Sequence, residues 1–362
     1  MAKLKGALIG FGNVAAYGHW PAYAESKDFE IVTVVDPSPE RRKVAQQLRP
    51  DLTIFSSFEE FLQAKQSAPL DFVDICTPPT THVKMAQECI RRGWHVICEK
   101  PLSLSVGDYT LLARHVVRQE KSVFTVHNWK YAPIFQKARQ IIKDGRIGSV
   151  WHVEIFVQRD TFCKGAAQGA GTTAAKAEDW RTSRESAGGG ILVDHGWHSF
   201  YLLLNAVGAA PERIVAKMHS DPEDKNALED AVQALVQFPE ADGYIHLTWR
   251  AKMRRNSIII QGTKGTLLLD DDRLLLTTHD GKREETQFES ALSAGSHHPD
   301  WFHNLLPDFL EEIKNPAKRG ANFKEAGWCV ALTCAAYESN VRGFQEVQVT
   351  FPGTPKEAPV LA

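Results

Sequence analysis

From residue 3 to about 125 the chain alternates short β-branched apolar runs with stretches whose apolar residues recur at helical spacing. The runs "LKGALIGFG", "FEIVTVVDPS", "FVDICTPP", "WHVICEKP" and "SVFTVHNW" predict strands. Between them "PERRKVAQQL", "SFEEFLQAK", "THVKMAQECIRRG" and "SVGDYTLLARHVVRQE" predict helices. Strand and helix in turn imply right-handed crossovers and a parallel sheet covered on both faces, a doubly wound α/β domain.

After about residue 125 the rhythm changes. A helix, "APIFQKARQIIKDGRIG", precedes longer strands separated by polar turns: "VWHVEIFVQRD", "DAVQALVQFPEADGYIHLTWRA" and "NSIIIQGTKGTLLLDDDRLLLTTHDGKREE". Such neighbours predict a mostly antiparallel sheet. Two late helices, "PDWFHNLLPDFLEEIKN" and "FKEAGWCVALTCAAYESNVRG", lead to a short strand "EVQVTF" and a proline-rich tail. The expected organisation is residues 1–125, residues 126–350, and a tail of 351–362. The Gly/Ala/Thr-rich segment 162–180 reads as a loop beside the ligand.

Composition narrows the function. With 362 residues the chain is long enough for two cores, and 42 Lys+Arg against 44 Asp+Glu leaves a net charge of −2. No basic footprint for nucleic acid appears, and no apolar run approaches the roughly 20 residues of a membrane span. The N-terminal "MAKLKGALIGFGNVA" lacks a signal peptide's unbroken apolar region. Six scattered cysteines without paired CxxC spacing read as buried thiols of a cytoplasmic protein.

Three stretches carry candidate chemistry. "GALIGFGNVA" sets Gly10, Gly12 and Ala15 in the G-x-G-x-x-A form between a strand and a helix, with Phe11, Asn13 and Val14 completing the loop. Such a turn lets a pyrophosphate approach the backbone. The next strand ends in Asp36, twenty-one residues after Ala15, where a carboxylate can accept from ribose hydroxyls and repel a 2′-phosphate. NAD is therefore expected over NADP, with Arg41 and Arg42 near the adenosine edge. "CEKPLS" places Glu99 and Lys100 at a strand's carboxyl end, ahead of a proline whose peptide bond can be cis at low cost.

"GGGILVDHGWHSF", residues 188–200, opens a helix in which Val193, Trp197, Phe200, Tyr201 and Leu204 recur at helical spacing up to Gly208. Asp194 and His198 are four apart, so the carboxylate can orient the imidazole as a general base. His195 lies beside them and leaves three readings open: packing, a substrate contact, or metal ligation with His152, His297 or His298. No metal is expected.

With "GFGNVA", "TPPTTH", "CEKPLS" and "GGGILVDHGWH" in this order, the chain resembles the glucose–fructose oxidoreductase/inositol dehydrogenase/rhizopine-catabolism family. The resemblance continues in "VHNWKYAPIFQKARQIIKDGRIGSVWHVEI", "DWR" and "QGTKGTL". It implies a Rossmann domain followed by an α/β domain whose open sheet forms a homodimer or homotetramer. Lys100, Asp194 and His198 match the family's catalytic residues. Thr77, Pro78, His82, Glu99, Lys100 and Asn128 join Gly10 to Val14, Asp36 and Arg41 as expected cofactor contacts. Lys100, Lys130, Arg159, Arg181, Asp194, His195 and His198 are expected to hold a small polyhydroxylated substrate at the domain interface. Pro79, Lys130 and His195 depart from the family pattern, and the last bears on the substrate.

The leading expectation is an NAD-dependent dehydrogenase of a sugar, cyclitol or related polyol. The alternative is a redox-neutral enzyme that oxidises transiently before elimination, epimerisation or glycoside cleavage. A cofactor sensor on the same fold should have lost the lysine or histidine.

Overall fold

The computed structural model describes residues 2–64, 69–160, 187–224, 227–295 and 297–353. These residues form two compact units. The first comprises residues 1–103, 108–131 and 295–326, and the second 104–107, 132–294 and 327–362. The first unit is thus discontinuous in sequence, unlike the contiguous range 1–125.

The first unit is built on a six-stranded parallel sheet in the order β3-β2-β1-β4-β5-β6. Its strands are β1 (Leu4–Ile9), β2 (Phe29–Val35), β3 (Thr53–Phe55), β4 (Phe72–Ile75), β5 (His95–Cys98) and β6 (Val123–Thr125). All five strands expected from the apolar runs are present. The sixth, β3, is only three residues long and half-buried, too short for alternation to mark it. Helices α1 (Trp20–Glu25), α2 (Pro39–Leu48), α3 (Phe58–Gln63), α4 (Pro79–Arg91) and α5 (Val106–Gln119) lie between the strands.

Helix α8 (Pro299–Lys314) joins this unit because its aromatic face has nowhere better to bury. Phe302 stacks on His19 at 3.7 Å between centroids, and Phe309 stacks on Phe29 at 5.6 Å. Rings in such contact contribute about 1 kcal/mol beyond their buried area. Sequence distance is no obstacle, because closing a longer loop costs little extra.

The second unit holds a nine-stranded sheet in the order β14-β13-β12-β11-β7-β10-β9-β8-β15. The strands are β7 (Val150–Asp160), β8 (Arg213–His219), β9 (Ala231–Gln237), β10 (Asp242–Thr248), β11 (Arg250–Gly262), β12 (Gly265–Asp270), β13 (Arg273–Thr278), β14 (Arg283–Gln287) and β15 (Val347–Gln348). Pairing is antiparallel except between β7 and β10, which run parallel.

Val153, Ile155, Ile245, Leu247, Ile258, Ile260, Leu267 and Leu269 point into the core, which α6 (Pro133–Lys143) and α7 (Trp197–Val207) help to cover. Period-two alternation sends the other residues outward. The last helix, α9, runs Ala321–Val341.

Candidate active site

The strand order 3-2-1-4-5-6 reverses direction between β1 and β4, the place where doubly wound sheets open a ligand crevice. The loops that follow β1, β4 and β5 carry Gly10–Val14, Thr77–Pro78 and Glu99–Lys100. Gly10 has φ +85°, and a Cβ there would lie 2.7 Å from the Cys76 carbonyl oxygen, so only glycine fits the turn. Above Gly12 a Cβ would meet nothing within 4 Å, leaving space against the backbone for a phosphate group.

Asp36 organises this loop. Its Oδ2 accepts from Phe11 N at 2.6 Å and its Oδ1 from Ser38 N at 2.8 Å. Arg41 donates to Asn13 Oδ1 at 2.8 Å, and Arg42 donates to the Asp36 and Pro37 carbonyls. The acid read as a ribose ligand is therefore also the brace that shapes the glycine turn. The cradle fits a dinucleotide: a glycine turn, open space over Gly12, and a carboxylate at the next strand's end.

Thr77 Oγ1 lies 2.6 Å from Thr81 Oγ1, and Pro78 precedes α4 as its N-cap residue. His82 is fully buried, with Nδ1 2.8 Å from the Pro101 carbonyl oxygen and Nε2 2.7 Å from that of Thr77. Burial lowers its pKa against the pull of both carbonyls, and the ring stands between the β4 loop and the turn after Lys100. The Lys100–Pro101 peptide is cis. Asn128 lies in a 3₁₀ turn, Asn128–Tyr131. In that turn Lys130 donates to Glu325 Oε1 at 2.8 Å, while His127 Nδ1 lies 2.5 Å from the same oxygen. Burial alone would raise the Glu325 pKa, but Lys130 and then His127 hold it well below the usual range.

Behind the strand ends lies a buried polar chain. His19 closes a π turn, Ala15–His19, that follows the glycine loop. Its Nδ1 lies 2.8 Å from Asp74 Oδ2 and 3.2 Å from Cys76 Sγ, and its Nε2 lies 3.0 Å from Glu99 Oε1. Tyr23 donates to Asp74 Oδ2 at 3.0 Å, and Glu99 Oε2 accepts from Lys100 N at 3.0 Å. Burial opposes the His19 imidazolium, but Cys76 and the Asp74 carboxylate outweigh it and raise its pKa well above 6.5. Burial likewise pushes the Cys76 thiol up. Among the described residues His19, Asp74 and Cys76 are the one trio of potential metal-ligand atoms within 4.8 Å of one another. Each of these contacts is of hydrogen-bond length, and His19 is sealed under Phe302.

In the second unit the three glycines admit close neighbours. Gly188 has φ +81°, and a Cβ on Gly190 would collide with the Glu229 carbonyl oxygen. Buried Glu229 accepts at Oε1 from Gly190 N (2.7 Å), Leu192 N (3.3 Å) and the Tyr337 hydroxyl (2.7 Å). Its carbonyl accepts from Ile191 N at 2.9 Å. Burial raises the Glu229 pKa against these bonds.

The helix beyond begins as a π turn, Leu192–Gly196, before α7 continues to the left-handed cap at Gly208. Asp194 Oδ2 lies 3.1 Å from His195 Nδ1. His198, buried, has Nδ1 2.6 Å from the Tyr201 hydroxyl. Trp249 meets the His195 ring edge-on at 6.5 Å.

Arg159 is buried and donates to Asn256 Oδ1 and the Gln158 carbonyl, both at 2.8 Å. Burial and then Arg254 lower its pKa to about 10, against the opposing pull of Asp194 and Asp271. Arg159, Asp194 and His195 thus belong to one neighbourhood. Arg181 and the segment 162–180 lie outside the described residues. Lys100 belongs to the first unit, and Asp194 and His198 to the second.

Sequence reasoning missed His19, Asp74, Tyr201, Glu229 and Tyr337. Only Tyr201 carried a signal, its place three residues after His198.

Comparison with known proteins follows the same lines. Residues 4–127 match the model of an oxidoreductase family with an NAD-binding Rossmann fold, and residues 135–268 match the GFO/IDH/MocA C-terminal domain. The chain belongs to the GFO/IDH/MocA oxidoreductase family.

It is 28% identical over 202 residues to 1,5-anhydro-D-fructose reductase of Ensifer adhaerens, 55% of this chain and 56% of that protein. The chain spans about half the length of the first curated relatives it matches. It is 25% identical over 331 residues to myo-inositol 2-dehydrogenase of Thermotoga maritima, covering 88% of this chain and 92% of that one. The fold is also that of a levoglucosan dehydrogenase solved with NADH and levoglucosan: TM-score 0.80, 19% identity, 96% of this chain and 100% of that one. Among the described residues no helix is long and apolar enough to cross a membrane.

Proposed function

We propose that this chain is an NAD-dependent dehydrogenase that oxidises a carbinol of a sugar, cyclitol or related polyol. One observation carries the reading: the glycine turn braced by Asp36 and the strand end bearing Lys100 flank the switch point of one parallel sheet. The names of relatives acting on inositol and anhydro sugars support the substrate class.

Gly10 to Val14, Asp36, Arg41 and the Thr77–Pro78 turn would hold the dinucleotide. NAD, when bound, is the two-electron acceptor for the carbinol C–H. In this reading His198 Nδ1–H donates to the Tyr201 hydroxyl oxygen, which leaves the Nε2 lone pair to take the carbinol proton. Lys100 donates to the reacting oxygen and stabilises its developing negative charge. Asp194 offsets the charge of the imidazolium that forms, and Arg159 and His195 hold neighbouring hydroxyls.

The outer sheet face supports self-association. Leu235, Tyr244, Glu154, Ile259, Leu268 and Leu275 stand in register across six strands, a largely apolar row on a half-exposed surface. A second copy of this chain is the occupant we propose. Light scattering that finds a monomer at micromolar concentration would refute it.

The test of function is incubation with NAD and a panel containing myo-inositol, levoglucosan and glucose. NADH accumulating in proportion to oxidised product supports a dehydrogenase, and product formed without net NADH overturns it. Lys100→Met and His198→Ala should each cut turnover about 10²–10⁴-fold with NAD affinity largely kept. Unchanged turnover in either variant removes that residue from the site.

A further inference from the structure

The buried chain behind Lys100 is placed where it can govern the lysine. Three of the loops that flank the switch point end on it. His19 closes the turn leaving the glycine loop, Asp74 and Cys76 bracket the end of β4, and Glu99 follows β5. The imidazole joins its own turn to the other two, through Asp74 Oδ2 and Cys76 Sγ at β4 and Glu99 Oε1 after β5. Glu99 then holds the main-chain N–H of Lys100 with its other oxygen.

This arrangement asks more of His19 than packing. His19 is only 2% exposed, and a buried imidazole could satisfy itself with one carbonyl, as buried rings commonly do. Instead both nitrogens face carboxylates, and Phe302 stacks on the ring at 3.7 Å and fixes its plane. Leaving a largely desolvated carboxylate short of a partner is costly, so His19 facing Glu99, which is 15% exposed, helps to hold it in place.

We propose that His19 is a positioning residue: through its Nε2 contact with Glu99 it fixes the main chain that presents Lys100 and ties it to the turn leaving the glycine loop. The proposal rests on the reading of Lys100 as a catalytic group. It predicts that the two ring nitrogens do different work. The Nδ1 contact with Asp74 anchors the ring, whereas the Nε2 contact with Glu99 sets the lysine.

Two near-isosteres separate these roles. In His19→Asn the amide nitrogen can replace Nδ1 toward Asp74 but falls short of Glu99. In His19→Gln the amide nitrogen reaches the Nε2 position and restores donation to Glu99 while leaving Asp74 to Tyr23.

The first readout needs no substrate. Hydrogen exchange of the Lys100 amide should be about 10-fold faster in the Asn variant and near wild type in the Gln variant, with β1 amides slow in both. The second is turnover of whichever of myo-inositol, levoglucosan and glucose the wild type oxidises fastest. Turnover by His19→Asn should fall about 10–10²-fold, the scale of a misplacement near 1 Å, with NADH affinity by fluorescence titration within about 3-fold. His19→Gln should recover most of it.

Equal effects of Asn and Gln on either readout would overturn the proposal, as would a loss of turnover matched by a loss of NADH affinity. Lys100→Met is the control. If that variant turns over like wild type, the reading of Lys100 fails; if it is dead while His19→Asn is fully active, the role of His19 fails.

Discussion

His95 makes the first unit sensitive to acid in a way that can be sized. It begins β5, is 8% exposed, and accepts at Nδ1 a hydrogen bond from Ser122 N at 3.0 Å. Accepting there requires a neutral nitrogen, so protonation breaks the bond and sets two N–H groups against each other. Burial, then the charges of Lys121 and Arg319, lower its pKa to about 4.

In the unfolded chain the imidazole titrates near the ordinary value of about 6.5. Between these two values the unfolded state binds more protons than the folded one, so stability is lost as pH falls through that window. At 1.36 kcal/mol per unit, this difference is worth about 3 kcal/mol in full, most of it gone by about pH 4.5.

The assay is urea unfolding at about pH 7.5, 5.5 and 4.5, followed by fluorescence, on wild type and His95→Asn. Asparagine places its amide oxygen where Nδ1 stands, keeps an acceptor for Ser122 N and cannot titrate. Other groups titrate in both proteins, so the informative quantity is the difference between the two pH slopes. The variant should lose about 2 kcal/mol less than wild type across this range. Parallel slopes would refute the assignment of His95 as a buried neutral acceptor.

Three further outcomes are expected. Gly190→Ala puts a methyl group against the Glu229 main chain and displaces the Gly190 N–H bond, so thermal unfolding should show a loss of about 2–4 kcal/mol together with reduced turnover; a fully stable, active variant would show that the close approach is not required. Tyr201→Phe removes the partner of His198 Nδ1, and kcat should fall about 10-fold with a shifted acidic limb in its pH profile, whereas an unchanged profile would separate the phenol from the base. Asp36→Asn leaves one acceptor oxygen for the Phe11 and Ser38 N–H groups and removes the charge that repels a 2′-phosphate. The kcat/KM ratio for NADP over NAD should rise about 10-fold or more, and a constant ratio would place cofactor choice elsewhere.

What the sequence determined by itself is what local pattern and short spacing can encode. The strand and helix alternation, the glycine turn with Asp36, the Glu99–Lys100 strand end and the helix stopping at Gly208 all follow from neighbours within a few residues or one βαβ unit. The switch to longer strands after residue 125 likewise announces a second, mostly antiparallel sheet.

Only the tertiary structure decided which distant groups complete these features. Asp74, 55 residues from His19, meets its imidazole because β4 lies beside β1, and Glu99 joins because β5 lies beside β4. Glu229 clamps Gly190 from 39 residues away. Helix α8 returns to the first unit because its aromatic face is buried there. No periodicity marks such partners, since a buried acid in a strand looks like a defect until its hydrogen-bond partners are seen. The π turn that carries Asp194 has no signal for a related reason: one residue's change in helical register depends on packing around it and not on the side chains of the turn alone.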